Sequence, residues 1–271
     1  MAPCPSGYII VPGNVDLGTK NFCVMKFEAK DVGSVATSQG ATLPWSSLTQ
    51  YQARANCSAL GSNYHLITDN EWLTIAKNVE SYSLNWNSSL VGSGFMFSGH
   101  NDNSPATSLT VTNESDYYNG TVNSNSSGQN QKRVLILTNS EVIWDISGNV
   151  WEWTNDTILS SSRYQGGDQQ WMSYSSDDGT GKVALNISSL KLPNNGWYAN
   201  QGMGRYHDGW SLGGAYNGIN ESPDFCIGYC SPTTAFLRGG GWNRGADAGA
   251  FALHLGNAPS NNYGFRCAYE P

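Results

Sequence analysis

Basic charge is scarce in this chain. Its 271 residues carry 14 Lys and Arg against 21 Asp and Glu, a formal net charge of -7, and charged residues make up only 13% of the whole. Phosphate binding draws most of its free energy from clustered Lys and Arg, so this balance argues against nucleic acid as a partner. Long apolar runs are missing too. None approaches the roughly 18 to 20 residues that span a bilayer, and no direct membrane insertion is expected. The opening Met1-Ala2-Pro3-Cys4-Pro5 has neither the basic nor the apolar stretch of a secretory signal. The chain therefore reads as soluble, or as a mature or excised part of an exported protein. Paired CxxC motifs are absent, which removes the usual support for a zinc knuckle or a thioredoxin-like site.

Asn, Ser and Gly supply the polarity that charge does not. Aromatic residues reach 12%, with 10 Trp and 14 Tyr, enough apolar area for a large core. Six cysteines lie at positions 4, 23, 57, 226, 230 and 267, scattered over the whole length. In a turn-rich, weakly charged chain they read as disulfides of an oxidising setting: extracellular, cell surface or virion. Six cysteines allow about 15 pairings, and sequence leaves the choice open. Our expectation is Cys4 with Cys23, Cys226 with Cys230, and Cys57 with Cys267.

Two strands are expected near the start, Tyr8 to Val11 and Phe22 to Ala29, separated by the turn-rich Pro12-Gly13-Asn14. A helix should follow Pro44, where Leu48, Tyr51, Ala55 and Leu60 recur at helical spacing and Gly61 ends the run. A second helix has a sharper signal. Thr68 precedes Glu71 by three residues, a capping box, and Trp72, Leu73, Ile75, Ala76 and Val79 then form an apolar face. Residues 81–131 and 157–232 are polar and lack sustained periodicity, so both read as loop-rich insertions. Near the end, residues 250–256 alternate strictly. A strand there sends Phe251, Leu253 and Leu255 to one face and Ala250, Ala252, His254 and Gly256 to the other. A polar, exposed loop over 257–263 and a last strand over 264–268 complete the chain, the strand carrying Cys267 back towards the first helix.

Three stretches, taken in order, carry a resemblance: Ile146-Ser147-Gly148-Asn149-Val150-Trp151-Glu152-Trp153, then Leu237-Arg238-Gly239-Gly240-Gly241-Trp242, then Gly264-Phe265-Arg266-Cys267. Together they resemble the formylglycine-generating-enzyme-like branch of the C-type lectin fold. This branch contains the oxidase that makes formylglycine in sulfatases and the variable proteins of diversity-generating retroelements. The implied fold is α+β: a single domain over 1–271, with two helices on a small, mostly antiparallel sheet and long loop insertions.

The oxidase places two copper-binding cysteines shortly after its RGGxW motif, because its chemistry needs soft thiolate ligands. Here the matching positions hold Arg244 and Gly249, and no cysteine occurs between Cys230 and Cys267. Relatives with an iron site use clustered histidines. His65, His100, His207 and His254 have no close ligand spacing and read as ordinary surface or turn histidines. The EPN and QPD tripeptides of calcium-dependent sugar binding are also absent, which argues against that mode of glycan recognition.

Residues 238–267 resemble the variable region of retroelement-diversified proteins, most closely archaeal ones. In such proteins adenines of Asn codons are randomised in a copied template, so ligand-facing positions become scattered substitutions of Asn. Gly241, Asn243, Arg244, Asp247, His254, Gly256, Asn257, Asn261, Asn262 and Tyr263 fit that set. Asp, His and Tyr lie one base from an Asn codon; Gly and Arg lie two away. Trp242, Phe251, Leu253, Leu255, Phe265 and Cys267 interleave with them as core positions. A plain polar loop would also use Asn, Gly, Asp and Tyr.

Two readings of Glu152 stay open: a ligand of the structural calcium that the resemblance implies, or a carboxylate that accepts from backbone amides to hold a turn. No cofactor is otherwise required. The expected function is non-catalytic binding of an external ligand, a protein or cell-surface molecule, by a monomer. Tyr263, Arg244, His254 and Asp247 serve as anchors, with Trp210 and Tyr216 at the rim. The alternatives are a divergent formylglycine-generating-like oxidoreductase and an invariant lectin-like surface adhesin.

Overall fold

A computed structural model describes residues 3–91, 95–121, 131–159, 171–174, 182–184, 204–205, 233–245, 248–256 and 258–271. The strands in chain order are β1 (Tyr8–Val11), β2 (Phe22–Met25), β3 (Ala29–Val32), β4 (Val35–Ser38), β5 (Tyr64–Leu66), β6 (Val134–Ile136), β7 (Val142–Trp144) and β8 (Trp151–Leu159). They continue with β9 (Trp171–Tyr174), β10 (Lys182–Ala184), β11 (Gly204–Arg205), β12 (Thr233–Gly239), β13 (Gly249–Gly256), β14 (Tyr263–Phe265) and β15 (Cys267–Tyr269). Two helices, α1 (Gln50–Ser58) and α2 (Asp69–Glu80), are the only α-helices among the described residues. The architecture is α+β, as expected. One antiparallel sheet has the order β1-β2-β15-β5; a second has the order β13-β12-β8-β14, in which only β14 runs parallel to its neighbour β8. The remaining strands form the hairpins β3–β4 and β6–β7 and a small sheet β10-β9-β11.

Helix α2 forms as its sequence dictates. The Thr68 side chain accepts from the Glu71 N–H, the Glu71 carboxylate accepts from the Thr68 N–H, and Trp72, Leu73, Ile75, Ala76 and Val79 are buried. They pack with Val11, Val24, Leu135, Ala250 and Phe251 in the largest core cluster. Helix α1 buries only part of the face expected. Leu48 and Leu60 pack half-buried against the core, whereas Tyr51 and Ala55 are exposed and Ala53 and Cys57 are buried; a disulfide joins Cys57 to Cys267 on β15. Cys4 bonds to Cys23 as expected; Cys226 and Cys230 lie outside the described residues.

Two expected strands are each interrupted by a buried charge. The run 22–29 breaks between β2 and β3, where Glu28 turns inward to accept from Asn149 Nδ2 at 2.6 Å and from the Val150 N–H at 3.2 Å. The run 264–268 breaks at Arg266, where the chain leaves β8 and crosses to β2 and β5. Insertion 81–131 is largely described and irregular, with a 3-10 turn at Ser83–Asn85. Most of 157–232, including Trp210 and Tyr216, lies outside the described residues.

Candidate functional site

The candidate surface is built on β8, β12, β13 and β14, and buried charge pairs fix its base. Arg238 on β12 donates to both Asp69 oxygens, at 2.6 and 2.9 Å, and to the Phe251 carbonyl at 3.2 Å, which ties β12 to α2 and β13. Arg266 donates from Nε at 2.6 Å to one Glu152 oxygen and from a terminal nitrogen to the other, and also reaches the carbonyls of Met25 and Trp144. All four charged groups are buried. Such pairs need every polar position satisfied to offset desolvation. Burial drives the Glu152 pKa above its ordinary value, and Arg266 opposes that rise.

Glu152 thus spends both oxygens on Arg266, and a calcium ion there would face a buried guanidinium. As placed, the carboxylate does not fit a calcium ligand. It holds no turn by its backbone amides either; Glu28 does that, its pKa pushed up to about 8 by burial first and by Asp145 second. Nothing near Glu28 in sequence signals the role, since its partners lie about 120 residues away. Among the described residues no group of three His, Cys, Asp or Glu could hold a metal ion.

Above this base, main-chain hydrogen bonds pin the loops. The Trp242 N–H donates to the Asn149 carbonyl at 2.9 Å, the Asn103 N–H to the Trp242 carbonyl at 2.7 Å, and the Gly245 N–H to the Asn101 carbonyl at 2.6 Å. On the second loop the Ser47 N–H donates to the Ser260 carbonyl and the Trp151 N–H to the Asn262 carbonyl, both at 2.9 Å. The backbone course of both loops is set by main-chain groups that every residue type except proline possesses.

The ten expected positions divide by depth. Asn243 and Asn261 are exposed and Arg244 is half-buried, its guanidinium 5.9 Å from the centre of the Trp151 ring. His254, Asn262 and Tyr263 are only 5, 6 and 9% exposed. His254 Nε2 meets the Tyr263 hydroxyl at 3.0 Å, its ring lies 5.3 Å from Trp151, and Tyr263 stands edge-on to Trp153 at 5.3 Å. The loop expected to be exposed over 257–263 is therefore part of the floor at its end, because Asn262 and Tyr263 turn under it. Gly256 faces inward as well: a Cβ there would stand 2.7 Å from Leu237 Cδ1 and 3.1 Å from the Trp153 ring. Gly241 is buried against Asn262. Asp247 and Asn257 lie outside the described residues.

Of the interleaved core positions, Phe251, Phe265 and Cys267 are buried and Trp242 is half-buried; the side chains of Leu253 and Leu255 are not described. The histidines expected as surface or turn groups divide. His100 lies in a bend and bonds the nearby Pro105 and Thr107 carbonyls at 3.0 and 2.9 Å, but it is fully buried, and His65 is half-buried and held by Glu71; His207 lies outside the described residues. A second capping box, Thr49 with Gln52 on α1, was legible in the sequence as Thr-x-x-Gln and was missed.

Among solved structures the chain is similar to Treponema denticola variable protein 1, with 15% identity, 97% of this chain and 91% of that chain covered, and a TM-score of 0.43. It is similar to PvdO from Pseudomonas aeruginosa with 13% identity, 98 and 92% covered, and a TM-score of 0.37. A third likeness is to Major Tropism Determinant U1 Variant, with 13% identity, 98 and 53% covered, and a TM-score of 0.34. A search of curated proteins finds no match. The family model described as Sulfatase-modifying factor enzyme 1-like domain matches residues 15–271. With that match spanning nearly the whole chain, from the first turn through β15, the protein belongs to the sulfatase-modifying factor enzyme 1-like family.

Proposed function

We propose that this family member is a non-catalytic binding protein that uses the surface over β8, β12, β13 and β14 to recognise an external ligand, a protein or cell-surface molecule. One observation carries the reading. The two loops that bear Asn243, Arg244 and Asn261 are held by main-chain hydrogen bonds and by buried pairs beneath them, so side chains there can change without changing the loop course. That is the arrangement a retroelement-diversified surface requires. By the resemblance of the RGGxW stretch, Arg244 and Gly249 match the positions of the formylglycine-generating oxidase's cysteines, and the described cysteines are all in disulfides. Disulfides also favour an extracellular or virion setting, and no described helix is long and apolar enough to cross a membrane.

The test is to sequence the locus deeply in its native population, over codons 234–271 and, as a control, codons 1–80. Substitutions confined to the ten positions and traceable to adenines of a nearby template repeat support the proposal. A uniform sequence in both windows overturns the diversification and leaves a fixed binder or an enzyme. Family membership favours that second reading, an oxidoreductase with changed catalytic apparatus. Copper or iron retained in stoichiometric amount by the purified native protein would support it.

A further inference from the structure

Three consecutive glycines join β12 to the first loop, and they are not equivalent. Gly239 and Gly240 have φ of +88° and +85°, a region that L side chains rarely adopt. At Gly240 a Cβ would also stand 2.5 Å from Cα of Ala248. Backbone geometry alone demands glycine at both. Gly241 lies outside the positive-φ region, and its obstruction is a side chain. The three nearest atoms to a Cβ built there all belong to the Asn262 carboxamide, with Cγ at 2.6 Å and the oxygen and nitrogen closer still.

Asn262 keeps its carboxamide in that space by a single side-chain hydrogen bond. Its Nδ2 donates to Asn243 Oδ1 at 2.9 Å and its carbonyl takes the Trp151 N–H, while its Oδ1 is buried against Gly241 without a hydrogen-bond partner. An unpaired buried acceptor destabilises the fold. The carboxamide is therefore not placed there by the needs of the core. It fills a space that Gly241 leaves open, and it ties down Asn243 from beneath.

We propose that positions 241 and 262 act as one coupled specificity element: a side chain at either requires a small residue at the other, and position 243 follows position 262. The surface then has two alternative forms. In the present one Asn262 occupies the shared space and holds Asn243. In the other a residue at 241 occupies it and the side chain at 243 is released towards the ligand. The inference deepens the binding proposal and rests on it for its meaning, but the coupling itself is a property of the fold.

The test is a double-mutant cycle read as melting temperature, with no ligand needed. Gly241→Ser in the native background should lower Tm by roughly 3 °C or more. Asn262→Ala alone should stay within about 2 °C of the parent. The double variant should melt within about 2 °C of Asn262→Ala, because the carboxamide that blocked the introduced serine is gone. An equal loss from Gly241→Ser in both backgrounds, or no loss in either, overturns the coupling. Across native copies of the locus, residues other than Gly at 241 should coincide with Gly, Ala or Ser at 262, and free assortment would count against it. A locus without variation would sink the diversification proposal while the melting cycle still decides the coupling.

Discussion

A strong single-residue dependence lies in the buried pair of Arg238 and Asp69. Both are almost fully buried, and Asp69 accepts from two guanidinium nitrogens. Asp69→Ala strands a cation in the core, so the expected loss is about 3–5 kcal/mol, measured by urea unfolding. A loss under about 1 kcal/mol would mean that water reaches Arg238. The surface positions should behave in the opposite way. Asn243 and Asn261 are exposed and Arg244 is half-buried, so the triple alanine variant should lose ligand binding with Tm within a few degrees of the parent. Alanine at His254 or Tyr263 removes a buried contact at 3.0 Å and should lower Tm itself. Sequence could not separate these two groups. An Asn codon origin would say which positions vary and nothing about how deep each one sits.

At the scale of elements, α2 was the most legible part of the chain, since a capping box and an apolar stripe act within a few residues of each other. Thr68→Ala should cost about 1 kcal/mol of stability, read by chemical denaturation. The same helix start holds a pH-dependent contact with β5. His65 Nε2 lies 2.9 and 3.0 Å from the two Glu71 oxygens. Burial lowers the His65 pKa, but the Glu71 hydrogen bond and charge, with Glu270 and the Asn63 backbone, outweigh it and the net shift is upward from 6.5. A histidine raised on folding adds stability in full below its unfolded value, and that stability fades as pH rises through the folded value. The stability difference between the parent and His65→Gln should therefore be largest below about pH 6.5 and shrink at higher pH; a difference constant from pH 5 to 9 would exclude the contact as its source. By contrast, the breaks at Glu28 and Arg266 were illegible. A strand pattern counts apolar neighbours, and each break answers to a partner more than a hundred residues away.

For the whole molecule, the Cys57–Cys267 disulfide spans 210 residues and joins α1 to the final strand. Constraint of so long a loop should make it worth about 2–5 kcal/mol, so the Cys57→Ala, Cys267→Ala double variant should unfold at clearly lower denaturant concentration. The Cys4–Cys23 bond closes only 19 residues and should matter less. The Cys57–Cys267 bond also anchors the buried Cys57 edge of α1, where the expected spacing held at Leu48 and Leu60 but not at Tyr51 and Ala55.

The sequence by itself determined the α+β class, the α2 helix with its cap and the motifs that mark the family, because each depends on residue type and on order along the chain, whereas the pairing of the described cysteines needed the fold to bring them together. Only the tertiary structure decided that Glu152 belongs to Arg266, that Glu28 holds the Asn149 turn, and that His254, Asn262 and Tyr263 form a floor beneath Asn243 and Asn261. Those outcomes depend on which distant groups meet in the low-dielectric interior, where an unpaired charge is too costly to persist.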